Sequence, residues 1–567
     1  MATGEDKRPE SDIMPVMEHH DDQALNASGS DAKKDSLEPN VEDTVSSRNE
    51  STAESVSSID ENEDLPFFQA VKRYPKVAAY CLALTTAILL WGYDLVIVSS
   101  VTGVPAFQKD FGQLYNGEYI FPSTWLSLWL AFGPLGSAIG SVMGGWLQDR
   151  IGRNYSLLIG SVMSAVAVAI IFISNVPDSL EARRGVFLVG KTVQGVAVGV
   201  IKVQALTYVS ENAPTCLRGP AMALFPTFTL MGQLIGSIVV FTINGDETSK
   251  GYRIAFGSQW ALSAAPFILS FILPESPAYL VRKGRMDEAM HSAKRLFEPR
   301  ASAAKAMERI TFNVSNEALR DREVTYRNCF NRGNRRRTGI IIFVNLLPAL
   351  FGLNLLSNAS YFLQTVGMNS SMSLIFLITG IVLGLLGNAA SVWVLSWVGR
   401  RRLTVVTITI ACLLWTSLGI SSFWSSNAAI LYAGVSMNLV IIICGVGCWP
   451  AGYAIMGETS SLRLRAKSQA VGGVAQQVSS IVMNFVLPYI FNPDAGNLKS
   501  KTGFVFTGFC AIASAISWLY IPEMKGRTVA EIDHMFRLEL PARDFKGWKG
   551  NVDESISVDS RKNNSEA

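Results

Sequence analysis

The sequence predicts an all-α membrane protein, with twelve transmembrane helices in two pseudo-symmetric six-helix bundles. Three observations predict it. Of 567 residues, 49% are hydrophobic and only 17% charged, where a soluble domain averages about 25% charged. Apolar runs of about 20 residues, the length that spans a bilayer, recur as six, then the polar segment 281–338, then six more. A short charged loop also occurs twice. Residues 144–153 read Gly-Gly-Trp-Leu-Gln-Asp-Arg-Ile-Gly-Arg after the second run, and residues 395–402 read Leu-Ser-Trp-Val-Gly-Arg-Arg-Arg after the eighth. Gly152 and Gly399 lie 247 positions apart, which marks an internal repeat of the whole six-helix unit.

In chain order, residues 1–67 form a tail. Its first 64 residues carry 18 Asp/Glu against 5 Lys/Arg and few large apolar side chains. Such a segment cannot bury enough surface to offset its chain entropy, so it is expected to be disordered and cytoplasmic. The N-terminal bundle, 68–280, holds candidate spans at 79–103, 124–147, 155–174, 186–209, 219–243 and 257–274. The linker 281–338 carries 15 Lys/Arg against 7 Asp/Glu, with charge-laced, Ala-rich stretches at 286–298 and 302–310 that suit short amphipathic helices on a membrane face. The C-terminal bundle, 339–530, holds spans at 339–361, 371–395, 403–424, 428–456, 467–491 and 503–521, and a second tail covers 531–567. Basic linker and loops place this face, and with it both termini, in the cytoplasm of a multi-pass cell-membrane protein. Asn369 opens an Asn-Ser-Ser sequon on a short loop of the other face, a candidate glycosylation site.

The seven cysteines fall mostly in apolar runs without a CxxC pair, and the four histidines lie outside every run. Buried hydrophobes are expected there rather than disulfides, a metal site or a nucleophile–His dyad. No enzyme, cofactor, metal or nucleic-acid signature stands out.

Charges inside spans are costly, about 2.5–3.5 kcal/mol each on insertion scales, and so mark function. Asp94 lies mid-way along the first span, and Lys191 and Lys202 lie on the fourth. Their spacing of 11 residues is close to three helical turns, so both face the same way. Lys202, nearer the cytoplasmic end, either snorkels or pairs with Glu211. In the seventh span Asn354, Ser357 and Asn358 share one helical face, which either lines a cavity or hydrogen-bonds a neighbouring helix.

The chain resembles the sugar porter family of the major facilitator superfamily, and within it the fungal α-glucoside (maltose-type) permeases. The likeness spans about residues 68–530 and rests on an ordered ladder of motifs. They are Gly92-Tyr93-Asp94, Asp149-Arg150-Ile151-Gly152-Arg153, Glu211 through Arg218-Gly219, Pro274-Glu275-Ser276-Pro277, Gly399-Arg400-Arg401, Gly457-Glu458 with Arg463 and Arg465, and Pro522 through Thr528. The stretch from Leu487-Pro488-Tyr489 to Lys501-Thr502-Gly503-Phe504 suggests the α-glucoside branch. The resemblance implies that Asp94 is a proton site modulated by Lys191, where the wider family usually has Arg. The rival reading of this pair is a static strut. It further implies that Asp149, Arg150, Arg153, Glu211, Arg218, Arg400, Glu458 and Arg465 gate the halves by pairing on the cytoplasmic face in an outward-open state. The alternative is headgroup anchoring of the arginines.

The expected sugar pocket departs from the family. Pro226 stands where the fifth-span Gln belongs, leaving Gln233 two turns on, and the seventh span has no Gln. Tyr453 stands where a Trp is common, while Gln476, Gln477 and Asn484 add polar atoms on the eleventh span. The expected substrate-binding set is therefore Gln233, Asn354, Ser357, Asn358, Tyr453, Gln476 and Gln477. The sequence thus reads as a proton-coupled importer of a sugar or α-glucoside, acting as a monomer in the bilayer. The rivals are an exporter of a specialised metabolite on the same fold and a transporter-like nutrient sensor.

Overall fold

The computed structural model describes residues 67–246, 248–323, 325–461, 464–527 and 529–548. The acidic stretch 1–66, the residues beyond 548, and the motif residues Arg463 and Thr528 lie outside the described residues.

Among the described residues, eleven helices are long and apolar enough to cross a membrane. In the first half they are Pro75–Val101, Ser123–Ile151, Arg153–Phe172, Leu180–Asn212, Leu224–Ile243 and Ser249–Ile272. In the second half they are Ser370–Val398, Arg400–Ser421, Asn427–Thr459, Lys467–Phe491 and Lys499–Tyr520. The expected seventh span is present but not continuous. It is built from Arg335–Leu350, Leu353–Ser357 and Ala359–Val366. Pro348 lacks the N–H that would continue the helical ladder, and Gly352 takes a left-handed φ of 93°. The Phe351 carbonyl beside the break accepts a hydrogen bond from Trp415 Nε1 at 2.9 Å. Such replacement partners are what make an interruption tolerable at membrane depth.

The fourth span is docked on the second by a small-residue seam. Gly136, Gly140 and Gly144 recur every fourth residue and face Thr192, Val196 and Val200. A Cβ on Gly140 would lie 2.0 Å from the Val196 carbonyl oxygen, so no larger residue fits this approach. That seam fixes the height and rotation of the helix carrying Lys191 and Lys202. Across the two halves, the second span packs on the eleventh, the fifth on the eighth, and the first on the broken pieces of the seventh.

Two features lie outside the span pattern. A β-hairpin, Gln113–Tyr115 with Glu118–Ile120, precedes the second span. It turns at Asn116-Gly117, both with positive φ, the combination that tight hairpins demand. On the face carrying the Gly152 and Gly399 turns, helices Pro277–Arg282, Met286–Phe297 and Ala303–Glu323 follow the sixth span. Met286–Phe297 buries Ala289, Ala293, Leu296 and Phe297 on one side, and Phe297 meets Tyr74 edge-on at 6.2 Å. The helix Val529–Arg537 docks beneath the seventh span through an ion pair between Asp533 and the buried Arg337.

Candidate functional site

The intramembrane charges come together as a pair. Lys191 Nζ lies 2.5 Å from Asp94 Oδ1, and their side chains are only 2% and 9% exposed. Lys202 does not reach Glu211. Its ammonium lies 3.8 Å from the centroid of the Trp91 ring, on the first span one turn before Asp94.

At the ends of the second and eighth spans the repeated loops build matching brackets. In the first half, Arg153 donates to Glu211 through Nε at 3.0 Å and Nη2 at 2.6 Å. The carboxylate of Glu275 accepts the backbone N–H groups of Arg153 at 2.8 Å and Asn154 at 3.2 Å, so it sits at the N-terminus of the third span. In the second half, Arg400 donates to Glu458 through Nε at 3.0 Å and Nη2 at 2.7 Å, while Glu523 accepts from the N–H groups of Arg400 at 3.0 Å and Arg401 at 3.2 Å. These carboxylate–arginine pairs form inside each half, whereas the sequence led us to expect them between halves. Asp149 is peripheral, 71% exposed and 3.6 Å from Arg153. Arg150 lies over Trp146 at 4.8 Å. Arg218 is exposed with no ion-pair partner among the described residues, and Arg465 Nε is buried without a hydrogen bond.

The halves join on the opposite face. Asn492 Nδ2 donates to the Phe121 carbonyl at 2.7 Å and to Asp494 at 2.6 Å, and Asp494 accepts from the backbone N–H of Ser123 at 2.7 Å. Tyr361 donates to Asn492 at 3.0 Å. Gln108 donates to Gln364 at 2.8 Å, and Ser370 to the Gly103 carbonyl at 2.6 Å. Among the described residues the hydrogen bonds joining the halves lie on this face, so the two bundles are latched there. Sequence reasoning missed this latch, since Asn492-Pro493-Asp494 reads only as a turn. Asn369 is exposed on the same face, where its side chain caps the eighth span by accepting from Met372 N at 2.8 Å.

A small recess opens in the second half between the seventh, tenth and eleventh spans, lined by Asn345, Trp449, Tyr453, Met456 and Gln476 among others. Tyr453 and Gln476 thus meet in one place. Gln477 and Gln233 are half-buried with no side-chain hydrogen bond among the described residues and are not in that lining. Asn354 spends its amide on Ser480 Oγ of the eleventh span at 3.1 Å, Asn358 bonds back to the Asn354 carbonyl at 2.7 Å, and Ser357 is half-buried. The polar face of the seventh span therefore contributes to helix packing, and none of its three residues lines the recess. The lining residues with N–H donors that were not anticipated are Asn345 and Trp449. The Trp449 indole N–H is buried without a partner among the described residues. Its signal was present, since Trp449-Pro450 opens the polar stretch of the tenth span.

The family model described as "Sugar (and other) transporter" matches residues 79–536. The MFS transporter fmqE of Aspergillus fumigatus is 30% identical, over 90% of this chain and 97% of its own length. The maltose permease MAL61 of Saccharomyces cerevisiae is 29% identical, over 86% of this chain and 80% of its own. Among solved structures, the xylose transporter XylE of E. coli in an inward-open conformation aligns with a TM-score of 0.64 at 19% identity, covering 81% of this chain and 99% of that one. The model match runs from the first span through the C-terminal helix and takes in both brackets, so the chain belongs to the sugar (and other) transporter family, non-enzymatic membrane transporters of the major facilitator fold.

Proposed function

We propose that the protein is a proton-coupled importer of a sugar or glycoside working by alternating access across the cell membrane, with the Gly152 and Gly399 turns on the cytoplasmic side. The observation that carries this reading is the Asp94–Lys191 pair. A buried carboxylate stays ionised beside a cation and takes up a proton when the cation withdraws. The first and fourth spans carry the two partners, so a shift between these helices makes or breaks the pair. The latch on the far face then represents the closed outer gate, and the helix-end brackets keep each half rigid while the halves rock. The Asn345, Trp449, Tyr453 and Gln476 recess is the substrate wall of the second half. The protein names of its relatives, maltose and α-glucoside permeases, support a glycoside substrate.

The test is uptake of labelled maltose and glucose in a yeast lacking its own hexose transport, at acidic and at neutral external pH, with Asp94→Asn beside the wild type. Accumulation is expected to be strong at acidic pH, to fall at neutral pH, and to be lost in the variant. Equal accumulation in all four conditions would sink proton coupling. A second reading, export of a specialised metabolite, is favoured by the rebuilt pocket, whose lining holds Trp449 and no Gln from the seventh span. It predicts no uptake of either sugar at confirmed surface expression.

A further inference from the structure

The pair Lys191–Asp94 is electrically closed, which leaves Lys202 as an extra positive charge within the first bundle. Among the described residues Lys202 has no carboxylate and no hydrogen-bond acceptor, only the face of Trp91 at 3.8 Å. A cation–π contact offsets only part of the cost of holding an ammonium away from water.

The placement of Lys202 points to its use. The fourth span meets the third through Gln194, whose Oε1 accepts from Ser164 at 3.1 Å, the second through Val196 against Gly140, and the first through Lys191. Eleven residues on, Lys202 falls almost on the Lys191 line and slightly toward the second span. The first and second spans each continue into contact with the other half. On the arc between them Gly195 and Gly199 pack on the second-span backbone at Gly133 and Ser137, and Lys202, one turn further toward the Gly152 turn, is half-buried rather than sealed.

We propose that Lys202 with Trp91 forms an anion-recognising subsite of the transport cavity, so that the transported molecule carries a carboxylate or equivalent single negative charge next to a ring or apolar face. The ammonium supplies a charge-assisted hydrogen bond, and the indole supplies a flat surface for the neighbouring ring. This inference rests on the transporter reading and narrows its substrate class to acidic glycosides or other carboxylate-bearing small molecules.

The test uses the purified full-length protein and three matched pairs: glucuronate and glucose, maltobionate and maltose, indole-3-acetate and indole-3-acetamide. Thermal stabilisation is titrated for wild type, Lys202→Gln and Lys202→Arg. The expected result is that at least one acid stabilises the wild type at concentrations about tenfold or more below its neutral partner, that Lys202→Gln erases the difference, and that Lys202→Arg keeps it. Equal shifts within every pair, shifts by neutral members alone, no shift with any acid, or an acid preference unchanged in Lys202→Gln each overturn it. Maltose uptake without acid preference overturns this subsite and leaves sugar import standing. Acid preference without uptake of any sugar upholds the subsite and overturns sugar import.

Discussion

The two helix-end brackets share one plan and differ in how completely it is carried out. In both, a glycine with φ near 90° lets the chain turn, an arginine reaches a glutamate 58 residues on, and a second glutamate caps the next span. In the first half the bracket is dry, with Arg153 and Glu211 2% and 10% exposed, and Glu211 also accepts from Ser276 at 2.6 Å and Arg282 at 2.9 Å. In the second half Arg400 and Glu458 are 20% and 26% exposed, and Glu458 Oε2 is buried without a partner. The sequence difference that accounts for this is small. Pro274-Glu275-Ser276 becomes Pro522-Glu523-Met524, and a hydroxyl donor becomes a thioether that instead accepts weakly from Thr459 at 3.6 Å. The first half is therefore the rigid frame for the Asp94–Lys191 pair, and the second half holds its helix ends more loosely.

The largest effect should come from neutralising each glutamate in turn. Glu211→Gln strands the buried Arg153 charge, and breaking a buried pair costs about 3–5 kcal/mol. Glu458→Gln removes a partly solvated pair and should cost about 1 kcal/mol or less. Thermal unfolding of the purified variants measures both. Losses of the same size in the two halves would mean that the brackets are energetically alike despite their geometry.

Gly152→Ala and Gly399→Ala come next. Both glycines combine φ of 97° and 90° with extended ψ of 172° and 162°, a region essentially closed to other residues at about 1–3 kcal/mol. A new Cβ would also lie 2.6 Å from Glu275 Oε2 and 2.8 Å from Glu523 Oε2. Because the backbone demand is the same, the two variants should lose stability about equally, in contrast to the glutamate variants. A much larger loss at Gly152 would show that the first bracket owes its rigidity to crowding at the cap rather than to the buried charge pair.

Much of this was legible before any coordinates. Apolar run length gave twelve spans, eleven of them found as long apolar helices among the described residues, because a bilayer imposes its thickness on composition. Charge rarity marked Asp94, Lys191 and Lys202, and the family resemblance singled out Lys191 as the partner of Asp94. The motif ladder placed Arg153, Glu211, Arg400 and Glu458 at span ends, but their pairing within halves depends on helix rotation, which the motifs do not encode. The break at Gly352 escaped because Pro348 and Gly352 sit inside an otherwise unbroken apolar run. The hairpin at Asn116-Gly117 was announced by its turn residues and overlooked between two spans. The latch through Asn492 and Asp494 joins residues some 370 positions apart, and neither residue has a periodic pattern to betray it.

The finest test of the comparison is a pair of double-mutant cycles. If Ser276 completes the first bracket, Ser276→Ala and Glu211→Gln should be non-additive, with a coupling of about 1–2 kcal/mol for a hydrogen bond to a charged acceptor. The matching cycle in the second half uses Met524→Leu, a swap that keeps volume and so costs less than about 1.5 kcal/mol by itself, with Glu458→Gln. Met524 donates nothing to Glu458, so this cycle should close to within about 0.5 kcal/mol of additivity. Coupling in the first half alone would tie the rigidity of that bundle to a single hydroxyl. Equal coupling in both cycles would mean that the two loops act alike, and the difference between the halves would then have to come from the membrane core, where only the first bundle carries the Asp94–Lys191 pair.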